Sequence, residues 1–343
     1  MSAARLPVAI IGAGPVGLAA AAHLLARGET PLVLEAGPAV GHSIRQWGHV
    51  RMFTPWRYCV DTAARALLAA AGWSHPPADA VPTGAEVVAH YLEPLAALPA
   101  MTPHLRLDSR VVAVTRRGCD KLRSAGRDAL PFVLRVAGPD GTMRPAEARA
   151  VIDCSGSGHS ALNALLDLAA LRATDPATRI LWIMRKRRIE DAFGGEGADG
   201  LPERGALGSR ARALVESGAV EVLSPFRIAE IRRGEAAALR VLGEQDGRQA
   251  SFQADALIVA TGFRPDLGML REIRLTLDPG LECAAGIAEM IDPNLHSCGT
   301  VRPHGARELA HPEAGFYIAG MKSYGRAPTF LMMTGYEQVR SIA

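Results

Sequence analysis

The sequence predicts an α/β protein that contains one architectural unit twice. Three observations predict this. A short apolar strand runs into a glycine pattern and a helix at 8–35, a second glycine pattern follows an apolar run at 150–156, and an internal repeat relates 105–156 to 220–262.

Composition sets the outer limits. A chain of 343 residues has room for two domains, and 48% hydrophobic with 21% charged residues excludes a chain that stays disordered. The net charge is +3; three lysines (Lys121, Lys186, Lys322) and many arginines are spread along the chain, which excludes a clustered nucleic-acid footprint. The longest apolar stretch, Pro15 to Ala26, is broken by His23 and is too short for a bilayer, so no membrane partner is expected. VAIIG near the start breaks at once into glycines, unlike a signal peptide. Five scattered cysteines form no CxxC or CxxxxC pair, so a reducing cytoplasm is the expected location.

Taken in order, VAIIG (8–12) reads as a buried parallel strand, PVGLAAAAHLLARG as a helix closed by Gly28, and PLVLE (31–35) as a second buried strand ending in an acid. Residues 42–103 read as an excursion of helices and loops, with helical patches at 63–72 and 84–98. The repeat follows. Each copy has an exposed strand, a meander around a Gly turn (PDGT, QDGR), and a buried apolar strand ending in a small-residue motif (CSG at 154–156, ATG at 260–262). Between the copies, 155–173 predicts a helix with a glycine-rich start, 179–187 a strand, and 195–205 a polar loop. An irregular region (263–314) leads to a strand at 315–320 and a last helix.

The chemistry lies in the glycines. Gly12, Gly14 and Gly17 form GxGxxG after a strand and before a helix, with Pro15 opening the helix and Glu35 ending the next strand. The first glycine makes the turn, the second admits a pyrophosphate, and the third lets helix and strand pack closely. Phosphate oxygens suit the helix N-terminus. Glu35 is placed to accept from both ribose hydroxyls and would repel a 2′-phosphate, so the site suits FAD or NAD rather than NADP. The plain alternative is a glycine-rich turn with no ligand. The second pattern, Gly156, Gly158 and Ser160 with Ala161 in place of a third glycine, also opens a helix. Its next strand ends in Arg185 and Arg187, residues able to clamp a 2′-phosphate, so this site suits NADPH. The alternative there is a solvated basic strand end. Both units thus read as Rossmann-like, dinucleotide-binding domains, one for a resident and one for a visiting cofactor, as hydride transfer to a flavin requires.

With these motifs the chain resembles the flavin-containing monooxygenase-like flavoproteins with two dinucleotide-binding domains. The resemblance also rests on GHSIRQWGHVRMFTPW (41–56), on Ala260-Thr261-Gly262 with Arg264-Pro265, and on GFYIAG with TFLMMTGYEQ, and it spans nearly the whole length. It implies two three-layer units, with the NADPH-binding one (156–254) inserted between two segments of the FAD-binding one (1–155 and 255–343), and an FAD-dependent oxidoreductase reduced by NADPH that acts on a small-molecule substrate, with molecular oxygen as co-substrate. It implies that Arg45, Gln46 and Trp47 line the flavin side of the pocket, that Gly262 belongs to the cofactor-binding set, and that Gly320 and Met321 approach the ribityl chain. The chain departs from the family in carrying Met321 where an acid is usual, and in lacking the oxygenase fingerprint of Phe-x-Gly followed by His and an aromatic. A third departure is the junction at 154–158: one apolar run stands where the family has two strands, so the second unit is expected to lack its central strand.

Thioredoxin-reductase-like chemistry needs a dithiol beside the flavin, which no cysteine spacing supplies. His296 and Cys298, in the stretch before the last strand, are substrate-side candidates by resemblance; a structural loop is the alternative, and no metal site is expected, because the His and Cys spacing fits no standard zinc pattern. The rival to an enzyme is a flavin-binding protein whose degenerate second unit supports little turnover. Oligomeric state is not legible in the sequence.

Overall fold

A computed structural model describes residues 6–156, 161–193, 202–234, 238–296 and 301–343. Its elements in chain order are β1 (Val8–Ile11), α1 (Pro15–Ala26), β2 (Pro31–Leu34), α2 (His42–Arg45), α3 (Thr62–Ala70), α4 (Gly84–Val87) and α5 (Glu93–Ala96). The last two are joined by a π-helical stretch, Val88–Leu92. Then come β3 (Leu105–Arg106), β4 (Arg110–Arg116), β5 (Phe132–Ala137), β6 (Met143–Ala148) and β7 (Ala150–Asp153). They are followed by α6 (Ala161–Thr174), β8 (Leu181–Ile183), α7 (Pro202–Glu216), β9 (Glu221–Leu223), β10 (Phe226–Arg233), β11 (Leu239–Gln245) and β12 (Arg248–Ala254). The chain ends with α8 (Ala288–Ile291), β13 (Phe316–Ile318) and α9 (Met332–Ile342). It divides into two compact units, one of residues 1–158 with 262–343 and one of 159–261.

The first unit is centred on a five-stranded parallel sheet in the order β13-β7-β1-β2-β3. Strand alternation assigns its two faces. Ile10, Val33 and Ile152 pack with α1 and with Tyr336 and Val339 of α9. Ala9, Ile11, Leu34, Val151 and Phe316 pack against the antiparallel meander β4-β5-β6. Helices, sheet and meander make the three layers. Arg116 and Arg127 converge on the buried carboxylate of Glu313 (2.8 Å each), which ties the meander to the segment before β13. Both arginines hold the Glu313 carboxyl below the usual carboxylate range, against the opposing effect of burial.

The second unit pairs β8 with β9 in a two-stranded parallel sheet, packs α6 and α7 around a small core of Leu165, Ile180 and Val220, and carries a second meander, β10-β11-β12. The two meanders repeat each other down to a register shift in the first strand pair, between Val111 and Ala113 and between Ile228 and Glu230.

They part at the strand that should follow. Residues 150–153 form β7, buried between β1 and β13. The matching run, 256–261, forms no strand, and Ile258 and Val259 are 54% and 62% exposed. This corrects the expectation of a buried strand there, and the reason is the missing neighbour. The apolar run at the junction makes one strand, β7, and gives it to the first sheet; among the described residues no strand lies between β7 and β8. The expected loop at 195–205 also needs correction at its end, where α7 begins at Pro202, a residue suited to the first turn of a helix. Residues 194–201 lie outside the described residues.

Candidate functional site

The three glycines of the first motif are there for different reasons. Gly12 has φ +98°, a conformation that side chains rarely adopt. At Gly17 a Cβ would stand 2.0 Å from the carbonyl oxygen of Gly12, so helix and turn close only without one. Gly14 has φ −81°, and a Cβ there would meet no protein atom within 4 Å. The fold does not need a glycine at this position, while a ligand approaching the backbone does. Pro15 takes the first helical position, and the first intrahelical bond runs from Leu18 N to Gly14 O (3.0 Å). The amides of Val16 and Gly17 therefore lack a partner within the helix, and together with the dipole they favour an anion.

Glu35 follows β2 and is nearly buried. Its Oε2 accepts from Ala13 N (2.7 Å) and its Oε1 from Gly37 N (2.9 Å), so the carboxylate is fixed against the glycine turn while each oxygen keeps acceptor capacity for another donor. A cavity of about 560 Å³ opens at the carboxyl ends of β2 and β3, walled by Leu34, Arg106, Ser109 and Asp140.

On the other side of the turn stand β13 and α9. A Cβ on Gly335 would lie 2.6 Å from Val16 Cγ2, and one on Gly320 3.5 Å from the same side chain, so these glycines bring the first turns of α1 and α9 together. Gly320 N donates to Gln338 Oε1 (2.8 Å), and Gln338 Nε2 donates to Ser323 Oγ and to His304 Nε2 (2.9 Å each). His304 Nδ1 in turn donates to Arg302 O (3.0 Å). This arrangement needs a neutral imidazole, and burial holds the His304 pKa below its ordinary value.

Sequence reasoning missed a buried ion pair at the sheet's carboxyl edge. Lys322 Nζ donates to Asp153 Oδ2 (2.7 Å) and to Ser155 Oγ (3.2 Å), while Asp153 Oδ1 accepts from Ser155 N (3.1 Å) and Oγ (2.7 Å). A signal was present: an acid ends an apolar strand, and one of only three lysines stands two residues after Gly320.

The other expected residues are placed as follows. Gly41 N donates to Ala13 O (3.0 Å), which ties the start of α2 to the glycine turn. Arg45 donates to Val40 O (3.1 Å) and pairs with Glu93 (2.6 Å); Gln46 is exposed. Trp47 lies against Gly84, and its Nε1 is buried without a hydrogen-bond partner among the described residues. Met321 stands beside Gly156, where a Cβ would be 3.8 Å from its Cε. Gly262 has φ +91° and is exposed. Arg185 and Arg187 are exposed in the bend after β8, in the second unit. His296 is half-buried, with its amide donating to Asp292 O (2.8 Å). Gly158, Ser160 and Cys298 lie outside the described residues.

Among the described residues no group of three His, Cys, Asp or Glu side chains is placed to hold a metal, and no helix is long and apolar enough to cross a membrane. Burial pushes the Cys59 thiol up to about 12 and that of Cys283 to about 11, and it raises Cys154 further, with Asp153 adding to the effect.

Comparison with known proteins bears on the fold. Residues 9–118 match the pyridine nucleotide-disulphide oxidoreductase family. No curated protein sequence matches. Among solved structures, bacillithiol disulfide reductase Bdr from Bacillus cereus is similar at 16% identity and a TM-score of 0.71, over 98% of this chain and 97% of that one. The cadaverine monooxygenase DfoA of the desferrioxamine pathway of Erwinia amylovora is similar at 14% and 0.63, over 99% and 95%. Thioredoxin reductase from T. acidophilum is similar at 12% and 0.53, over 98% and 96%. The chain has the α/β fold, with a parallel sheet, of the two-domain FAD/NAD(P)-dependent oxidoreductases.

Proposed function

We propose that the chain is an FAD-dependent oxidoreductase that takes reducing equivalents from NADPH and acts on a small molecule in the manner of a flavin monooxygenase. The observation that carries the cofactor reading is Gly14, bare of a side chain where the fold would accept one, at the head of a helix with open amides and beside the anchored Glu35 carboxylate. That cradle fits a dinucleotide diphosphate and its ribose. Bound FAD would supply hydride and single-electron chemistry; the chain's own residues hold and orient it. DfoA is a monooxygenase whose structure holds FAD, and the structure of an ornithine N-hydroxylase from Kutzneria holds reduced FAD with NADP+, which supports the same pairing here. Dithiol chemistry has less support: the burial-raised thiols of Cys59, Cys154 and Cys283 are poor nucleophiles at neutral pH.

A second reading follows from the unpaired run at 256–261 and the two-stranded sheet of the second unit: a flavin-binding protein with little turnover. Anaerobic addition of NADPH to the FAD-loaded protein separates the two. Bleaching of the flavin band by NADPH is the expected result. Bleaching by dithionite alone would replace the enzyme reading with the second one. If NADPH does bleach it, NADPH consumption in air without matching peroxide release, in the presence of a substrate amine, would support oxygenation.

A further inference from the structure

Lys322 is the buried charge that the cofactor reading leaves unused. The residue is 7% exposed, and Asp153, which pairs with it, is wholly buried. An ammonium carries three N–H donors. Two are taken, by Asp153 Oδ2 and Ser155 Oγ, and no other acceptor is found for the third among the described residues. A buried cationic donor left short of an acceptor is costly, and an oxygen supplied by a ligand removes that cost. The place is specific. Ser155 N and Cα stand 3.3 Å from the position of a Cβ on Gly12, so the segment that Lys322 holds rests directly on the glycine turn. Strands β1, β7 and β13 are neighbours in the sheet, and Ala319 N donates to Asp153 O (2.9 Å), which fixes the start of the Gly320–Lys322 segment against the end of β7.

We propose that Lys322 donates its third hydrogen bond to an oxygen of the bound FAD, on its ribityl chain or its diphosphate, and so replaces with a donor the acceptor that the resembling family carries after the equivalent of Gly320. The pair with Asp153 is what keeps this possible. It neutralises the ammonium in the free protein, and Ser155 bridges both partners, so the lysine is positioned before the cofactor arrives. Met321, the residue that stands where the acid is usual, packs instead beside Gly156.

The inference rests on the FAD reading, and the experiment separates the two. FAD, ADP and riboflavin are titrated by calorimetry into apoprotein of the wild type, of Lys322→Met, and of Lys322→Met with Asp153→Asn. The double variant leaves no buried lone charge, so its thermal midpoint without cofactor should match the wild type even if that of the single variant falls. Both variants should lose FAD affinity by about ten- to hundredfold. A parallel loss for ADP identifies the diphosphate as the acceptor; a loss for FAD and riboflavin with ADP unchanged identifies the ribityl chain. A double variant that binds FAD as tightly as the wild type would overturn the proposal and leave the pair a structural staple. A wild type that binds neither FAD nor ADP would overturn the FAD reading itself.

Discussion

Ile152 and Ile258 are the same residue at the same place in the two copies of the internal repeat, and their surroundings are opposite. Ile152 lies in β7 with a strand on either side and is 1% exposed; Ile258 sits in a run with no charged residue and is 54% exposed. A lack of apolar residues does not explain the difference, since ALIVATG is the more apolar of the two runs, with Val259 where AVIDCSG carries Asp153. It lies in what each finds beside it. A strand is stable when both edges pair and both faces are covered, and among the described residues no strand pairs with 256–261. The first motif is strung between β1 and α1 of one unit, whereas the second falls between β7, a strand of the first unit's sheet, and α6 of the second unit.

The sharpest test of this comparison substitutes the matched pair. Ile152→Ala should destabilise the first unit by about 2–5 kcal/mol, because the sheet on either side cannot collapse onto the space left behind. Ile258→Ala should cost less than about 0.5 kcal/mol, as exposed substitutions do. Urea unfolding followed by tryptophan fluorescence measures both. Equal losses at the two sites would mean that 256–261 is buried in solution and that the second unit is completed in some other way.

Much of this was legible in advance for a physical reason. The glycine turn, the acid at the end of β2, the hairpins and the two meanders are set by contacts among neighbours in sequence or by periodicity, and the structure has them at the expected positions. The failure at 256–261 came from reading a strand by composition when pairing decides it. The ion pairs of Lys322 with Asp153 and of Arg116 and Arg127 with Glu313 join residues more than a hundred positions apart, and nothing in the local pattern of either partner specifies the other. The glycines were legible as a motif, but only the geometry separates Gly12 and Gly17, which the fold requires, from Gly14, which it does not.

The two glycine motifs can next be compared through their charged partners. Glu35→Ala removes the acceptor of two backbone N–H groups in a nearly buried place, and about 1–3 kcal/mol of stability should go with it, along with most of the FAD affinity. Arg185→Ala with Arg187→Ala touches only exposed side chains, so stability should stay within about 0.5 kcal/mol of the wild type. If those arginines clamp a 2′-phosphate, NADPH use should still fall by about ten- to hundredfold while NADH use is spared. Thermal melts and steady-state reduction with each nucleotide read out all three quantities. An equal loss with NADH and NADPH would remove the clamp.

The smallest expected effect is a difference in how the two units respond to acid. In the first unit burial lowers the pKa of His304 and of His311 below the ordinary value of 6.5. His304 accepts from Gln338 through Nε2, and His311 accepts from Thr276 N through Nδ1 (3.3 Å), so each native contact uses a lone pair that a proton would occupy. The unfolded chain therefore binds more protons than the native one as pH drops through 6.5, and native stability, complete above that value, declines below it. Glu313, with its carboxyl held low by Arg127 and Arg116, adds a further loss in the same direction, but only below the ordinary carboxylate value of 4.5. The one histidine of the second unit, His159, lies outside the described residues, so the comparison rests on the two imidazoles of the first. Lowering the pH from 7.5 to 5.5 should thus reduce the melting temperature of the first unit by about 2–4 °C. Hydrogen exchange resolved by segment should show β13 and α9 losing protection while α6 and α7 keep theirs. Equal losses in both units would assign the acid sensitivity to net charge rather than to these two imidazoles.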